Sequence, residues 1–585
     1  MEVTITLSMI VKNEAGYLKG ALDSAAGQVD EIVIVDTGST DGTLDIARQY
    51  TDRVYRYSWD DDFSAARNFA VENATGEWVL SLDADEELVA GTGDLKSLVA
   101  RDQRLEAHLI PLHYPVAGST GEYNHFLVLR LFRNNGRFRF RGRIHEQVAV
   151  PENGLVGIAE GPVISHKRLP AGERNRKRGR NLVFLKKACS EDPQNPFLQY
   201  YLGVEWLGLG RPGRALPCFR KAYQELSDDH LLFRSPALRY LIISLKVLEQ
   251  LDEGIALCRE ASLRYPDYTD IYYLGGILFE KKRDYLSAVE WFNRALRCGT
   301  PPSLYSHMNG TGSFLANYHL GYCNEMLGRA KEAKNCYGQA LDANPGYIYP
   351  VYSLFLLVMA ANGPRYTLDY LKVKGYLGSA EPALAVAGLF FTAGYPGLAR
   401  RCLEECLVIG QEMNVHRFHR GKYNIYAGRL QKGIDDLSLI PKESDYYVQA
   451  QTHLAIARIL LGRFREARSS AVNLWLNGAR NFTRILFALT RRMEEGEGAP
   501  PLKISKQMEI LQPALEMIEH CVQYLPEKAA DQNNTLILRL ISGLESVIKE
   551  ASPEGYQGLI EFYQNKTRGA QAFFDYKYGP GGGGA

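Results

Sequence analysis

The chain is predicted to fold as an α/β domain on a mostly parallel sheet, followed by an all-α solenoid of helical repeats. Three observations predict this. Short β-branched runs alternate with helical segments up to about residue 165, and the strand signal then stops near residue 190. Beyond that point a small, bulky, small helical pattern recurs at steps of 39, 34 and 45 residues. Strands alternating with helices at this spacing imply βαβ crossovers. A recurrent helical unit implies stacked helix pairs that share one continuous core.

In order, Ile5–Val11 reads as a strand, Ala15–Ala26 as a helix, Glu31–Val35 as a strand and Gly42–Tyr50 as a helix. Arg53–Tyr57 is a further strand, Ser64–Ala74 a helix, and Trp78–Leu82 a strand that runs into Asp83. Ligands of such sheets sit outside the carboxyl ends of the strands. That directs attention to Lys12–Glu14, Asp36–Ser39 and Asp83–Glu86.

The later pattern is carried by Ala215/Phe219/Ala222, Gly254/Cys258/Ala261, Ala288/Phe292/Ala295 and Ala333/Tyr337/Ala340. Leu-Gly pairs precede it at Leu202-Gly203, Leu274-Gly275 and Leu320-Gly321, and a Pro/Ser/Gly-rich insertion lies at Pro301–Ser313. The pattern resembles tetratricopeptide repeats, in which small residues let adjacent helices approach closely. Residues 1–170 are expected to form the α/β domain, 171–195 a basic helical linker and 196–490 the repeats. A linker at 491–501, a helical segment at 502–568 and a disordered Gly-rich tail at 569–585 complete the expectation.

Composition narrows the function. With 68 Lys+Arg against 67 Asp+Glu the net charge is only +1, which argues against a polyanion binder, so nucleic acid is not an expected partner. No run approaches the roughly 20 apolar residues of a membrane span. The nine cysteines show no CxxC pairs and read as buried thiols of a reducing compartment, so the expected location is cytoplasmic. The neutrality conceals a segregation. Residues 1–100 hold 19 acidic and 7 basic side chains, whereas Arg130–Arg143 carries six arginines and no acid. Lys167–Lys187 sets nine basic residues against Glu173 alone. Acidic and basic segments in succession suit a site that holds a cation beside phosphates.

The strongest constellation is Asp83-Ala84-Asp85 at the end of an apolar strand. Two carboxylates two residues apart can serve one Mg²⁺ or Mn²⁺ while leaving positions for water and diphosphate oxygens. Two decoys lie nearby. Asp36-Thr37-Gly38-Ser39 spells an aspartic-protease motif, but only one copy is present and it sits in a βα turn. Thr40-Asp41-Gly42-Thr43 approximates a phosphatase motif, but its nucleophile position is Ser39.

Ser8–Glu14, Val33–Thr43, Trp59–Asn68 and Gly76–Trp78 leading into Asp83-Ala84-Asp85 together resemble family 2 glycosyltransferases with the GT-A fold. With the repeats, the chain is similar to the bacterial branch that includes sublancin-type peptide S-glycosyltransferases. The resemblance implies a metal-dependent inverting hexosyl or N-acetylhexosaminyl transferase whose donor is a nucleoside diphosphate sugar, UDP-linked by expectation. It implies Mn²⁺ or Mg²⁺ on Asp85, with Asp83 and His166 as further ligands. Val11, Asn13, Glu14, Asp36, Thr37, Ser39, Arg67, Asp83, Ala84, Lys167 and Arg168 would contact the nucleotide sugar. Phe140–Gln147 resembles the branch's strand that carries an acceptor-side carboxylate, with Glu146 the expected base and His145 either the base or its orienter. A concave solenoid groove with many Tyr suits a peptide or protein acceptor modified on Ser, Thr or Cys, and the repeats could also pair two copies of the chain. A lipid or glycan acceptor, a repeat scaffold with a silent N-terminal domain, and a sugar nucleotidyltransferase are the rival expectations.

Overall fold

The computed structural model describes residues 3–116, 121–404, 406, 412–478 and 480–495. They fall into two compact units, divided between Tyr347 and Ile348. The expected segments 502–568 and 569–585 lie outside the described residues, and the linker 491–501 is described only to residue 495.

The first unit begins with β1 (Ile5–Val11), α1 (Leu18–Ala25), β2 (Glu31–Asp36), α2 (Thr43–Ala47), β3 (Val54–Arg56), α3 (Phe63–Glu72) and β4 (Trp78–Ser81). It continues with β5 (Glu86–Leu88), α4 (Leu95–Arg101), β6 (Ala107–Pro115), β7 (Tyr123–Arg133), β8 (Arg139–Arg141), β9 (Gln147–Ala149), β10 (Val156–Ile158) and β11 (Ile164–His166). The sheet order is β3-β2-β1-β4-β7-β6-β11-β5, with β10 on β6. Pairing is parallel from β3 to β4, as helical crossovers require, and mixed beyond it. The change has a simple cause: β6 and β7 follow one another without a helix and pair antiparallel.

Alternate residues of β4 serve the two faces of this sheet. Trp78, Leu80 and Leu82 join the core under α1 and α4, where Leu18, Ala21, Leu22 and Ala25 form one helical stripe. Val79 faces the other way, into a cluster with Val71 of α3, Phe132, Phe138, Phe140 and Val148. That cluster seats the β8–β9 hairpin, which antiparallel pairing closes at Arg141 and Gln147. Asp62 caps α3 by accepting the Ala65 N–H at 3.0 Å, and so fixes where that helix starts.

Helices follow without interruption: α5 (Ala171–Glu191), α6 (Pro196–Gly208), α7 (Pro212–Glu225), α8 (Leu231–Val247), α9 (Leu251–Arg264), α10 (Thr269–Lys281) and α11 (Tyr285–Cys298). After a short strand, β12 (His307–Met308), come α12 (Phe314–Met326) and α13 (Ala330–Ala343). Ala215, Phe219, Ala222, Cys258, Ala288, Phe292 and Ala295 are all fully buried in one core. The Leu-Gly pairs explain the pattern. A methyl group on Gly203 would meet the Phe219 ring at 2.8 Å, and one on Gly321 would meet Tyr337 at 2.6 Å. Each glycine thus admits the aromatic of the following helix.

The insertion at 301–313 is a structural joint. Its β12 pairs antiparallel with β7, His307 opposite His125 and Met308 opposite Asn124, so the helical part of this unit adds a strand to the sheet.

The second unit comprises α14 (Tyr349–Val373), α15 (Ala380–Thr392), α16 (Pro396–Cys402), α17 (Glu412–Tyr426), α18 (Leu430–Ser438), α19 (Tyr447–Leu460), α20 (Phe464–Leu476) and α21 (Arg480–Glu495). Its core gathers Phe418, Ile425, Leu437, Leu454, Ala467, Ala471 and Leu474, which continues the repeat pattern in α19 and α20.

Candidate active site

The carboxyl ends of β1, β2 and β4 meet as the crossover topology requires. The β1 end is tied to the β2 turn: Thr37 donates its N–H and its hydroxyl to the Val11 carbonyl at 3.0 and 3.2 Å. Asn13 adopts a left-handed φ of 55° and accepts the Thr40 N–H at 2.7 Å, while its own N–H reaches the Ser39 hydroxyl at 3.0 Å. Asp36 is buried and closes its own turn by accepting the Ser39 N–H at 3.0 Å. Val11, Asn13, Asp36, Thr37 and Ser39 are therefore one hydrogen-bonded platform.

Arg67 projects from the buried face of α3 and joins three elements. Its guanidinium pairs with Asp83 and with Glu146, and donates to the Ser81 hydroxyl at 3.2 Å. Burial would favour loss of its proton, but the two carboxylates outweigh that and hold it firmly cationic. Asp83 receives a second arginine, Arg130 of β7, at 3.0 Å, and Arg130 also meets Glu86 at 2.7 Å. Burial would raise the Asp83 carboxyl, yet Arg67 and then Arg130 hold it well below the usual carboxylate range. Burial pushes the Glu86 carboxyl up despite Arg130.

Asp85 faces a different set of partners. Its Oδ2 lies 3.0 Å from Lys177 Nζ of α5 and 3.6 Å from His166 Nε2 at the end of β11. Lys177 also reaches Glu14 Oε1 at 3.0 Å and lies 3.9 Å from Glu173. Burial works against this ammonium, but Asp85 and Glu14 more than compensate and raise its pKa. Burial raises the Glu14 carboxyl, and its Oε2 is buried without a hydrogen-bond partner among the described residues. Ala84 is buried between the two aspartates, and the Asp85 carbonyl accepts the Lys167 N–H at 2.7 Å. Lys167 pairs with Glu87 at 2.6 Å, and Arg168 follows it in the chain.

The residues fit a divalent cation. His166 Nδ1 lies 2.7 Å from the Lys167 carbonyl, to which it donates, and this orients Nε2 toward Asp85. Tyr114 stacks on the same ring at 4.2 Å and sets its hydroxyl 3.3 Å from Nε2. Burial pushes the Tyr114 hydroxyl up to about 12, so it remains a donor. Among the described residues no three His, Cys, Asp or Glu side chains converge as a metal cluster. A carboxylate and an imidazole that leave the remaining positions to water and phosphate match how Mg²⁺ and Mn²⁺ bind at phosphate-transferring sites. Asp83, committed to two arginines, stands apart from that pair.

Glu146 and His145 occupy the turn of the β8–β9 hairpin rather than a strand. His145 takes a left-handed φ of 50° and stacks on Tyr201 of α6. Its Nε2 lies 3.6 Å from Glu205 of the same helix, and Glu205 accepts from Arg178 at 2.9 Å and Asn181 at 2.8 Å. Sequence reasoning placed Arg130 and Lys177 only within basic clusters, and it missed Tyr114, Tyr201 and Glu205. Those three carry no local motif; only packing brings them to the site.

Residues 6–154 match the model of Glycosyl transferase family 2, and residues 315–347 match a tetratricopeptide repeat. Residues 6–154 are thus similar to family 2 glycosyltransferases, and residues 315–347 to a tetratricopeptide repeat. A TPR repeat-containing protein of Synechococcus elongatus is 39% identical over 145 residues, which are 25% of this chain and 35% of that protein. The SPbeta prophage-derived glycosyltransferase SunS of Bacillus subtilis is 30% identical over 241 residues, 39% of this chain and 55% of SunS. The lipopolysaccharide core biosynthesis glycosyltransferase LpsC of Rhizobium meliloti is 28% identical over 186 residues, 30% of this chain and 67% of LpsC. The chain therefore spans about a third and about half of the first two relatives.

Proposed function

We propose that the first unit transfers a sugar from a nucleoside diphosphate sugar, UDP-linked, to a Ser, Thr or Cys side chain of a peptide or protein, with inversion at the anomeric carbon. The observation that carries this reading is the single guanidinium of Arg67, which bridges Asp83 at the donor strand end and Glu146 in the facing hairpin. One residue thereby fixes the separation between donor and acceptor carboxylates, as an in-line displacement needs.

In this reading the platform of Val11, Asn13, Asp36, Thr37 and Ser39, with Glu14 beside it, takes the nucleoside, and Asp83 with Ala84 takes the ribose or sugar. Asp85 and His166 would hold Mn²⁺ or Mg²⁺, which supplies positive charge to the leaving diphosphate. Lys167 and Arg168 add fixed charge nearby. Glu146 engages Arg67 through Oε1 and offers Oε2 to the acceptor proton, while His145 orients the hairpin.

The test is mass spectrometry of Ser-, Thr- and Cys-containing peptides incubated with the protein, Mn²⁺ and a panel of nucleotide sugars. A hexose or N-acetylhexosamine mass gain is expected, lost at least 100-fold in Asp85→Asn and Glu146→Gln. Full transfer by Asp85→Asn would overturn the metal assignment. The match to LpsC favours one second reading, a lipid-linked or glycan acceptor, and gain of mass on a lipooligosaccharide but on no peptide would select it.

A further inference from the structure

We propose that Lys177 is a resident counter-ion of the donor site, which occupies the cation position beside Asp85 and Glu14 until an anionic nucleotide draws it away. The proposal rests on the donor-site reading above and adds a control element to it. Lys177 Nζ sits 3.0 Å from Asp85 Oδ2 and 3.0 Å from Glu14 Oε1, so one ammonium bridges the turn after β1 and the Asp83-Ala84-Asp85 turn. The same Asp85 Oδ2 is the oxygen that lies 3.6 Å from His166 Nε2. A divalent ion on Asp85 and His166 would therefore share an oxygen with an ammonium, and like charges at such distances repel strongly in a partly buried site.

The helix cannot yield easily. Arg178, the next residue, is held by Glu205 at 2.9 Å, and Glu173, one turn earlier, accepts the Tyr17 hydroxyl at 2.9 Å. What can move is the four-carbon stem of Lys177, a flexible carrier of a point charge. A diphosphate entering beside Asp85 offers that ammonium new oxygens and leaves Asp85 to the metal. Bare metal brings no such exchange. The device makes metal and nucleotide bind together, each weak without the other, a coupling that must be reciprocal.

The experiment measures Mn²⁺ binding by electron paramagnetic resonance, and UDP binding by calorimetry with EDTA or Mn²⁺ present, on the full chain. Lys177→Met and Lys177→Gln should bind bare Mn²⁺ at least tenfold more tightly than the parent, and UDP in EDTA at least fivefold more weakly. Lys177→Arg, which keeps the charge, should bind bare Mn²⁺ as the parent does. Bare Mn²⁺ binding that is unchanged or weaker in both neutral variants overturns the proposal, and UDP–Mn²⁺ binding by the parent would leave the donor-site reading standing. A parent and variants that bind no UDP–Mn²⁺ at all overturn both.

Discussion

The imidazole of His145 lies flat on the phenol ring of Tyr201, with centroids 3.9 Å apart and planes 3° from parallel. One ring belongs to the hairpin turn that carries Glu146, the other to the first repeat helix, so the helical part of the unit braces the side of the site where Glu146 lies. Gln147 strengthens the brace by donating to the Tyr201 hydroxyl at 3.1 Å. Aromatic pairs contribute about 0.5–1.5 kcal/mol beyond their burial. Tyr201→Ala should therefore lower kcat for transfer about tenfold while leaving donor KM near the parent value, and Tyr201→Phe should retain most activity. Steady-state kinetics on both variants checks this.

Removing Arg67 should harm the fold as well as the reaction. Arg67→Ala leaves the nearly buried Glu146 without its cation and Asp83 with Arg130 alone, and an uncompensated buried charge costs about 3–5 kcal/mol. Arg67→Lys keeps the charge but cannot form the same fork, so it should remain folded with transfer reduced at least 100-fold. Urea denaturation and transfer rates separate the two outcomes.

Acid should loosen the joint between β7 and β12. Burial pushes His113 and His125 down to about 4, and the rings of His125 and His307 stack at 4.5 Å. An unfolded histidine titrates near 6.5, so the folded chain resists protons that the unfolded chain takes up. The stability these neutral rings contribute is complete above pH 6.5 and is lost as pH falls toward 4. Allowing for partial solvent access, the pair amounts to roughly 2–4 kcal/mol. The urea midpoint should fall between pH 7 and 5, and by less in His125→Phe.

Two glycines should respond in opposite directions. Gly321→Ala would drive a methyl into the Tyr337 ring at 2.6 Å and should destabilise by about 1–3 kcal/mol. Gly179, exposed in the middle of α5, has nothing among the described residues within 4 Å of such a methyl, so Gly179→Ala should stabilise by about 0.5–1 kcal/mol. Thermal melts of the two variants decide.

Strands β1 to β4 were legible because buried parallel strands are apolar runs bounded by polar turns; β1 was placed at its observed limits, Ile5–Val11. The second helix was read too long: only Thr43–Ala47 is helical, since Gly42 and the polar residues after Ala47 sustain just over one turn. β5 was invisible because Glu86-Glu87-Leu88 has the composition of an exposed loop, although Arg130 makes Glu86 a buried residue. Asp83, Asp85 and Arg67 stood in motifs and could be named. Lys177 and Glu205 could not, for their partners lie 92 and 60 positions away and no periodicity records such a meeting.

The two residues of β12 also bear on how the chain is made. β6 covers one edge of β7, while β4 and β12 share the other, so the Asn124–His125 end of that edge stays open until Met308 arrives. Met308 emerges from the ribosome 175 residues after Arg133. At ~5–20 residues per second that is a delay of about 10–35 s, in which a nascent sheet exposes unsatisfied strand edge. Synthesis rate and chaperone cover over that interval, more than the intrinsic stability of the finished sheet, should govern how much of the chain reaches its folded state.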